Sequence, residues 1–247
     1  MAFDLACLSY LEYFDHTGSS RSGYRILRCR ADQSEPTNWQ PVGSPLLGQS
    51  SKEYNARGPS FPFLLPVTEA RWLLYFAAWG HKRADDTLPN TPGVAVSDDG
   101  GETFEYHPEH PTILMDQPWD AEAAGSNWVL LEDGLFRMYY TGIGRYYERP
   151  ADAITGHGDV IPAIGVGYAE SDDGIHWHKP LNRLSVAPRG FNVEPYEYIC
   201  SRPCVIRHDN GYIMWVNTFG TAYRVHRLHG KMELNGSGRP VVVQMVS

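Results

Sequence analysis

The chain has no run of basic residues, no long hydrophobic stretch and few cysteines, and each shortage excludes a class of protein. With 21 lysine and arginine residues against 29 acidic ones, its formal net charge is −8, which argues against nucleic acid or an anionic membrane as a partner. No apolar stretch approaches the length of a membrane helix. The four cysteines, at positions 7, 29, 200 and 204, lack the spacing of a metal site, and a disulfide framework is not expected in a chain of this length.

Short motifs that hold phosphates, metals or nucleophiles are also missing. No glycine-rich loop follows a strand and opens a helix, no Gly-x-Ser-x-Gly elbow occurs, and the ten histidines lack zinc-ligand spacing. We therefore expect no cofactor and no bound metal ion. The segment from Met1 to Cys7 has neither the basic start nor the apolar core of a secretory signal, so we expect a reduced, cytoplasmic protein.

One short pattern occurs twice. Residues 97–104 read Ser-Asp-Asp-Gly-Gly-Glu-Thr-Phe, and residues 171–177 read Ser-Asp-Asp-Gly-Ile-His-Trp. Each copy follows a short apolar strand, so Asp-Asp-Gly predicts the tight turn of a hairpin. The first copy fits the Ser-x-Asp-x-Gly-x-Thr-aromatic box known from sialidase propellers, where it is a structural turn. We interpret both copies as structural turns of β-propeller blades that lie outside the active site.

Strand-sized segments around these turns group into units of four antiparallel strands. Readable units cover about residues 55–108, 120–180 and 197–230, and a partial unit covers about 20–42. The pattern predicts an all-β fold, a β-propeller of four-stranded blades in one domain over residues 1–247, and the family resemblance described below implies the five-bladed type. Because only three blades and part of a fourth are visible, the sequence leaves open a short variant, a truncated form or a ring that a second copy completes as a homo-oligomer.

Runs of apolar and aromatic residues between the turns set the expected strands. They are 62–66, 71–79, 93–97 and 103–107 in the first unit, 127–131, 135–141, 164–170 and 175–178 in the second, and 203–207, 212–217 and 221–228 in the third. The partial unit has strands at 24–30 and 39–41, with earlier ones within 3–14, and 241–246 is a candidate closing strand. Long connections at 80–92 and 144–163 fall on one predicted face, which favours a binding cleft over ordinary insertions.

Charged residues stand at similar offsets before the first strand of each unit. They are Arg57, Asp120 or Glu122, and Glu197, and the blade alignment predicts that they surround one channel mouth. Converging carboxylates suit glycosidic bond cleavage, in which one protonates the leaving oxygen and another activates water or attacks the anomeric carbon. The alternative for any one of them is a solvated loop charge or a cap, and Glu194 fits that alternative better than Glu197 does.

Two longer segments carry a family resemblance. Residues 197–225, with Ser-Arg-Pro-Cys-Val and Asp-Asn-Gly-Tyr-Ile-Met-Trp, and residues 137–177, with Arg-Met-Tyr-Tyr-Thr-Gly and the second turn, resemble the five-bladed propeller glycosidase superfamily. That superfamily includes glycoside hydrolase families 43, 32, 68 and 130, and the chain is most similar to uncharacterised members with a family 32 N-terminal-like domain. The resemblance covers roughly residues 55–228.

The resemblance also implies roles for single residues. In families 43 and 32, three acids stand at the starts of inner strands: a base or nucleophile, an aspartate that modulates a pKa, and an acid glutamate. Asp120 matches the modulator and Glu197 the acid. The position of the first acid carries Arg57, with Glu53 nearby, and Asp15 is the alternative if an earlier blade completes the ring.

These observations favour an enzyme that hydrolyses or transfers a glycosyl unit. Glu197 and Asp120 are the expected catalytic pair, and the saccharide-binding residues are expected to be Arg57, Trp119, Glu122, Asn127, His157 and Arg202. Arg57 and Arg202 suit holding a carboxylate or an acidic sugar. A carbohydrate-binding propeller without catalysis is the alternative, because no acid stands at the first position. A platform for protein partners is a third interpretation, which the long connections make less favourable than a small-molecule cleft.

Overall fold

A computed structural model shows a protein built almost entirely from β-strands. The structure describes residues 4–11, 23–81, 83, 89–108, 111–148, 160–188, 199–219 and 241–246. The chain divides into two compact units, Met1–Ile113 and Leu114–Ser247. Within the described residues, no helix is long and apolar enough to cross a membrane.

The first unit contains two antiparallel sheets. One has the order β1 (Asp4–Leu11), β2 (Gly23–Arg30) and β3 (Gln40–Pro41). The other has the order β4 (Gly58–Pro66), β5 (Trp72–Trp79), β6 (Asn90–Ser97) and β7 (Glu105–Tyr106), and a 3-10 turn, η1 (Glu53–Asn55), precedes it.

The core of the first unit lies between these two sheets. Ile26 of β2 packs with Leu74, Phe76 and Ala78 of β5 in one buried cluster. Every residue of β5 from Leu73 to Ala78 is at most 1% exposed. A continuous apolar run of this kind is expected of a strand that is covered on both faces of its sheet.

The second unit contains one sheet of six strands. Their order is β13 (Val241–Val246), β12 (Gly211–Phe219), β11 (Ile199–His208), β10 (Val160–Ser171), β9 (Leu135–Glu148) and β8 (Ala123–Glu132). All pairs are antiparallel except β10 with β11, which share the single parallel pair Ile164 and Ile199. The sheet is therefore two antiparallel groups of three strands that meet at one point.

The first strand of each blade has the same irregularity. The register shifts after Ser60 in β4, after Gly125 in β8 and after Ser201 in β11. At each shift one non-glycine residue has a positive φ: Phe61 at 51°, Ser126 at 50° and Arg202 at 51°. A β-bulge with a left-handed residue re-aims the strand, so these bulges mark equivalent positions in the three blades.

Both copies of the repeated turn form as predicted. In the first, Ser97 Oγ accepts from Gly101 N at 2.9 Å and donates to Asp99 Oδ1 at 2.7 Å. Asp99 also accepts from the amide and hydroxyl of Thr103, at 3.0 and 2.6 Å. These bonds hold the pKa of the Asp99 carboxyl well below its ordinary value of 3.8.

The second copy replaces the threonine with a histidine. Ser171 Oγ accepts from Gly174 N at 2.9 Å, and His176 Nδ1 lies 2.6 Å from Asp173 Oδ2. Because Asp173 satisfies backbone amides in the same way as Asp99, both turns are structural, as the sequence predicts.

Several predicted boundaries differ from the structure. The outermost strands are shorter: 103–107 becomes Glu105–Tyr106, and 175–178 becomes a single bridge from His178 to Glu170. The two long connections are shorter as well, because Asn90 pairs with Trp79, and Val160 to Ala163 pair with Arg145 to Glu148. The expected strand at 221–228 lies outside the described residues, and 241–246 pairs with β12 as a closing strand.

Candidate active site

The chain enters the first strand of two blades in the same way. Arg57 N donates to Trp79 O at 2.9 Å, and Glu122 N donates to Ile143 O at 2.9 Å. Each residue stands four positions before its bulge, at Phe61 or Ser126. These backbone contacts make Arg57 and Glu122 equivalent in the two blades. Glu122, rather than Asp120, is therefore the residue that stands at the position of Arg57.

The same comparison pairs Asp120 with Asn55. Both side chains are fully buried, and both backbone amides close a turn, Asn55 N to Lys52 O at 3.0 Å and Asp120 N to Gln117 O at 3.1 Å. Asn55 Nδ2 donates to Gly48 O at 3.1 Å. A buried polar side chain thus anchors the turn before the first strand in both blades.

The Asp120 carboxylate has three partners. Oδ1 accepts from Gln117 N at 3.0 Å. Oδ2 accepts from Tyr140 Oη at 2.7 Å and from Lys179 Nζ at 2.6 Å. With no exposed surface, the carboxylate cannot touch a saccharide directly in this arrangement, and any influence on a ligand must pass through its neighbours.

Lys179 completes the hydrogen-bond network around Asp120. Its side chain is 8% exposed, and Nζ donates to Asp116 Oδ1 at 2.8 Å and to the Leu114 carbonyl as well as to Asp120. All three ammonium protons therefore have acceptors within this one segment. The ion pair fixes the chain from Leu114 to Asp120 to the segment that follows the second copy of the repeated turn.

Tyr140 connects Asp120 to the indole of Trp119. Its hydroxyl donates to Asp120 and accepts from Trp119 Nε1 at 3.2 Å. Burial, followed by the hydrogen bond to the Asp120 carboxylate and the charge of that group, raises the pKa of Tyr140 well above its ordinary value of 10.0. Tyr140 is thus a neutral donor at neutral pH, and it holds Trp119 at the rim of the blade.

Glycines on the second strand let this loop approach closely. A Cβ placed on Gly144 would lie 2.2 Å from Pro118 O, and one on Gly142 would lie 2.7 Å from Trp119 O. In the first unit the equivalent Gly80 faces Glu53 O at 3.3 Å. The turn that carries Asp120 lies flat on β9 because these positions have no side chain.

The third blade contacts the second blade near the starts of β8 and β11. Arg202 N donates to Thr141 Oγ1 at 2.9 Å, and Thr141 pairs with Gly125, next to the bulge of β8. Farther along, Trp128 Nε1 donates to Val205 O at 2.6 Å. The bulges at Ser126 and Arg202 therefore belong to one neighbourhood within the second unit.

Five predicted site residues lie at this end of the second unit: Trp119, Asp120, Glu122, Asn127 and Arg202. Glu122 is partly buried and the Arg202 side chain is exposed. Asn127 is 5% exposed, and neither polar atom of its amide bonds to a described residue. A buried amide without a partner is uncommon and marks a position that a ligand or water can satisfy.

The remaining predicted residues divide between the first unit and the part of the chain not described. Arg57 belongs to the first unit, where its carbonyl accepts from Tyr24 N at 2.6 Å. Glu197, Glu194, His157 and Asp15 lie outside the described residues. Among the described side chains, no group of three or more His, Cys, Asp or Glu residues has the arrangement of a metal site.

Sequence reasoning missed Lys179 and Tyr140. Lys179 stands 59 positions from Asp120, in a segment that looks like an ordinary outer strand. The sequence marks Tyr140 only as one aromatic residue of a predicted strand. Neither carries a local motif, so only the packing of the loop on β9 reveals them.

Comparison with known proteins finds similar sequences and similar solved structures, and no family model matches the sequence. An uncharacterised protein of Mycobacterium tuberculosis, from strains CDC 1551 and H37Rv, is 32% identical over 156 residues, which is 62% of this chain and 46% of that protein. The chain thus matches about half the length of this curated relative.

Solved structures give the fold. A glycoside hydrolase superposes with a TM-score of 0.57 at 14% identity, over 82% of this chain and 55% of that one. An alpha-L-arabinofuranosidase from Lactobacillus brevis gives 0.55 at 13% identity, over 85% and 62%, and a thermostable family-43 glycoside hydrolase gives 0.53 at 12%, over 86% and 62%. The chain therefore shares the β-propeller fold of these glycoside hydrolases, which confirms the fold that the sequence predicts.

Proposed function

We propose that this protein hydrolyses or transfers a glycosyl unit of a saccharide bound where β8 and β11 begin. The observation that carries the proposal is the shared end of the second unit, where Trp119, Glu122 and Arg202 accompany an unpartnered buried amide at Asn127. An aromatic ring, a carboxylate, a guanidinium and an amide are the groups that bind sugar rings and hydroxyls. The glycoside hydrolases that share the fold support the same chemistry by analogy.

Two glutamates take the chemical roles in this proposal. Glu197 is the general acid that protonates the leaving oxygen as the glycosidic C–O bond breaks. Glu122 supplies the second carboxylate, because it stands directly before β8 and is only partly buried, whereas Asp120 is enclosed. Asp120 is then a positioning residue: it holds Tyr140 and, through it, Trp119.

A binding protein without catalysis is the second candidate. Arg57 stands at the register position that Glu122 takes in the next blade. One blade therefore has a guanidinium at a position where the glycosidases that the sequence resembles have an acid. The full enclosure of Asp120 favours the same alternative.

A screen of aryl glycosides and natural oligosaccharides separates the two candidates. The hydrolase proposal predicts release of the aglycone from at least one substrate, and saturable binding of the corresponding free sugar. Binding without turnover supports the second candidate. If the protein neither binds nor turns over any neutral or acidic sugar of the screen, both candidates are contradicted.

A further inference from the structure

The fourth residue of each blade's first strand combines two features. Phe61 of β4, Ser126 of β8 and Arg202 of β11 all have a positive φ, at 51°, 50° and 51°. In all three strands the first three residues are buried, and the fourth is the first whose side chain is accessible to solvent. The bulge therefore presents one side chain outward at the same place in each blade.

A side chain at such a position strains the backbone. Residues with a Cβ adopt the left-handed region reluctantly, and glycine suits it best. The chain has glycine at six other positions with a positive φ among the described residues, yet the three bulges keep a side chain. Strained residues of this kind concentrate at sites where a ligand is held, so the side chains at the bulges need an explanation.

The bulge itself does not depend on which side chain it carries. An aromatic ring, a hydroxyl and a guanidinium occupy the same structural position in the three blades, with nearly the same φ. Because the backbone is the same with three unrelated side chains, none of them is needed to form the bulge. The ring of Phe61 packs beside Trp79, with 6.3 Å between the ring centroids, whereas Ser126 and Arg202 are polar and call for a polar partner.

The bulges of β8 and β11 are neighbours within the second unit. Arg202 N donates to Thr141 Oγ1 at 2.9 Å, and Thr141 pairs with Gly125, the residue directly before Ser126. Only Thr141 therefore stands between the two bulges. This spacing suits a single ligand that contacts both outward side chains.

The residue after the bulge distinguishes the second blade from the other two. It is proline in β4 and β11, at Pro62 and Pro203, and asparagine in β8, at Asn127. The fold thus accepts a residue without a polar side chain at this position. Asn127 is nevertheless buried, and neither polar atom of its amide bonds to a described residue. Two adjacent polar residues at the bulge of β8 therefore favour a polar ligand at this end of the second unit.

We propose that Ser126 and Arg202 contact the same saccharide and determine which sugar is bound. The Ser126 hydroxyl donates to and accepts from a sugar hydroxyl, and the Arg202 guanidinium, which can only donate, binds a neighbouring sugar oxygen. The inference rests on the proposed function only in taking the ligand to be a saccharide, and it needs no catalysis. It adds Ser126 to the binding residues and explains why two strained positions keep polar side chains.

Glycine variants test the proposal, because glycine removes each side chain and relieves the backbone at the same time. The measurement is calorimetric titration of the intact chain with glucose, galactose, mannose, xylose and arabinose. For the sugar that the wild type binds best, we expect about fivefold weaker binding in Ser126→Gly and about tenfold or more in Arg202→Gly, as for the loss of a neutral and of a charged hydrogen bond.

Thermal melts give a readout that needs no ligand. Both glycine variants should melt at or above the wild-type temperature, because glycine accepts the positive φ of the bulge. Ser126→Ala keeps the strained backbone and should lose as much affinity as Ser126→Gly without the gain in melting temperature. Asp133→Gly is the matched control, since Asp133 has a φ of 53° and lies in the exposed turn at the other end of β8. It should leave binding unchanged.

Three results would overturn this inference alone. They are wild-type affinity in both bulge variants, a fall of several degrees in their melting temperatures, and an equal loss of affinity in Asp133→Gly. Weaker binding in the bulge variants, without hydrolysis of any glycoside by the wild type, supports the inference and contradicts hydrolysis only. A wild-type protein that binds none of these sugars would overturn the inference and the proposed function together.

Discussion

Lys179 Nζ lies 2.6 Å from Asp120 Oδ2, and both groups are withdrawn from solvent, with 8% and 0% of their side chains exposed. The pair joins two segments that are 59 positions apart in sequence. It makes the loop before β8 a fixed part of the blade. Trp119 belongs to this fixed loop, and Glu122 stands directly after it, before β8.

Removal of the Lys179 ammonium should destabilise the protein strongly. Lys179→Met leaves the Asp120 carboxylate buried without its cation, and breaking a buried pair in this way costs about 3–5 kcal/mol of unfolding free energy. Urea denaturation measures the change. The double variant Lys179→Met with Asp120→Asn should recover part of the loss, since no uncompensated charge remains. Lys52→Met, at an exposed position, is the control, and an equal loss in that variant would contradict the account.

Removal of the Tyr140 hydroxyl should cost less stability. In Tyr140→Phe the indole N–H of Trp119 loses its acceptor and Asp120 loses one donor, and each buried group left unpaired costs about 1–3 kcal/mol. Near-ultraviolet circular dichroism should also report a freer Trp119. A variant as stable as the wild type, with an unchanged spectrum, would show that this link is unimportant.

The close approach of the loop to β9 predicts a graded effect of alanine substitutions. Gly144→Ala would bring a Cβ to 2.2 Å from a backbone carbonyl, whereas Gly80→Ala, at the equivalent position of the first unit, meets one at 3.3 Å. We expect a fall of several degrees in the melting temperature for Gly144→Ala and little change for Gly80→Ala. Equal effects would contradict the closer approach of the loop to β9 at Gly144.

The turn at Asp99 predicts a pH-dependent contribution to stability. Because its pKa in the folded protein is below the ordinary value of 3.8, the ionised carboxyl stabilises the fold above that pH, and the contribution is lost as the pH falls. Asp99→Asn should therefore lower the melting temperature at pH 7, and the gap to the wild type should narrow in acid. Asp98→Asn removes only an exposed ion pair with Arg71 and should have little effect. A gap that is constant or widens in acid would contradict this explanation.

The sequence predicts the blades well because their signals are local. The glycine turns and the strand patterns around them place β5, β6, the start of β9 and the end of β10 within three residues. The ends of β9 and β6 were wrong because pairing continues past Gly144 and before Gly93, where glycine and proline suggest a loop.

The site was predictable only in outline. The offsets in the sequence indicate that Asp120 or Glu122 stands at a strand start. The bulge at Ser126 decides which of the two matches Arg57. No sequence pattern marks such a bulge, because its residue is serine in one blade and arginine in another. The enclosure of Asp120 depends on Lys179, a contact between distant segments. The cytoplasmic location, the catalytic role of Glu197 and the homo-oligomer stay predictions.

The rate of aglycone release by Glu197→Gln, compared with the wild type and with Glu194→Gln, tests the central claim most directly. The substrate is the best aryl glycoside of the screen, and thermal melts confirm that the three proteins fold equally. Loss of the general acid should reduce kcat by at least a hundredfold, in line with the usual contribution of about 10²–10⁴, while Glu194→Gln keeps the wild-type rate. Undiminished turnover in Glu197→Gln would contradict the account.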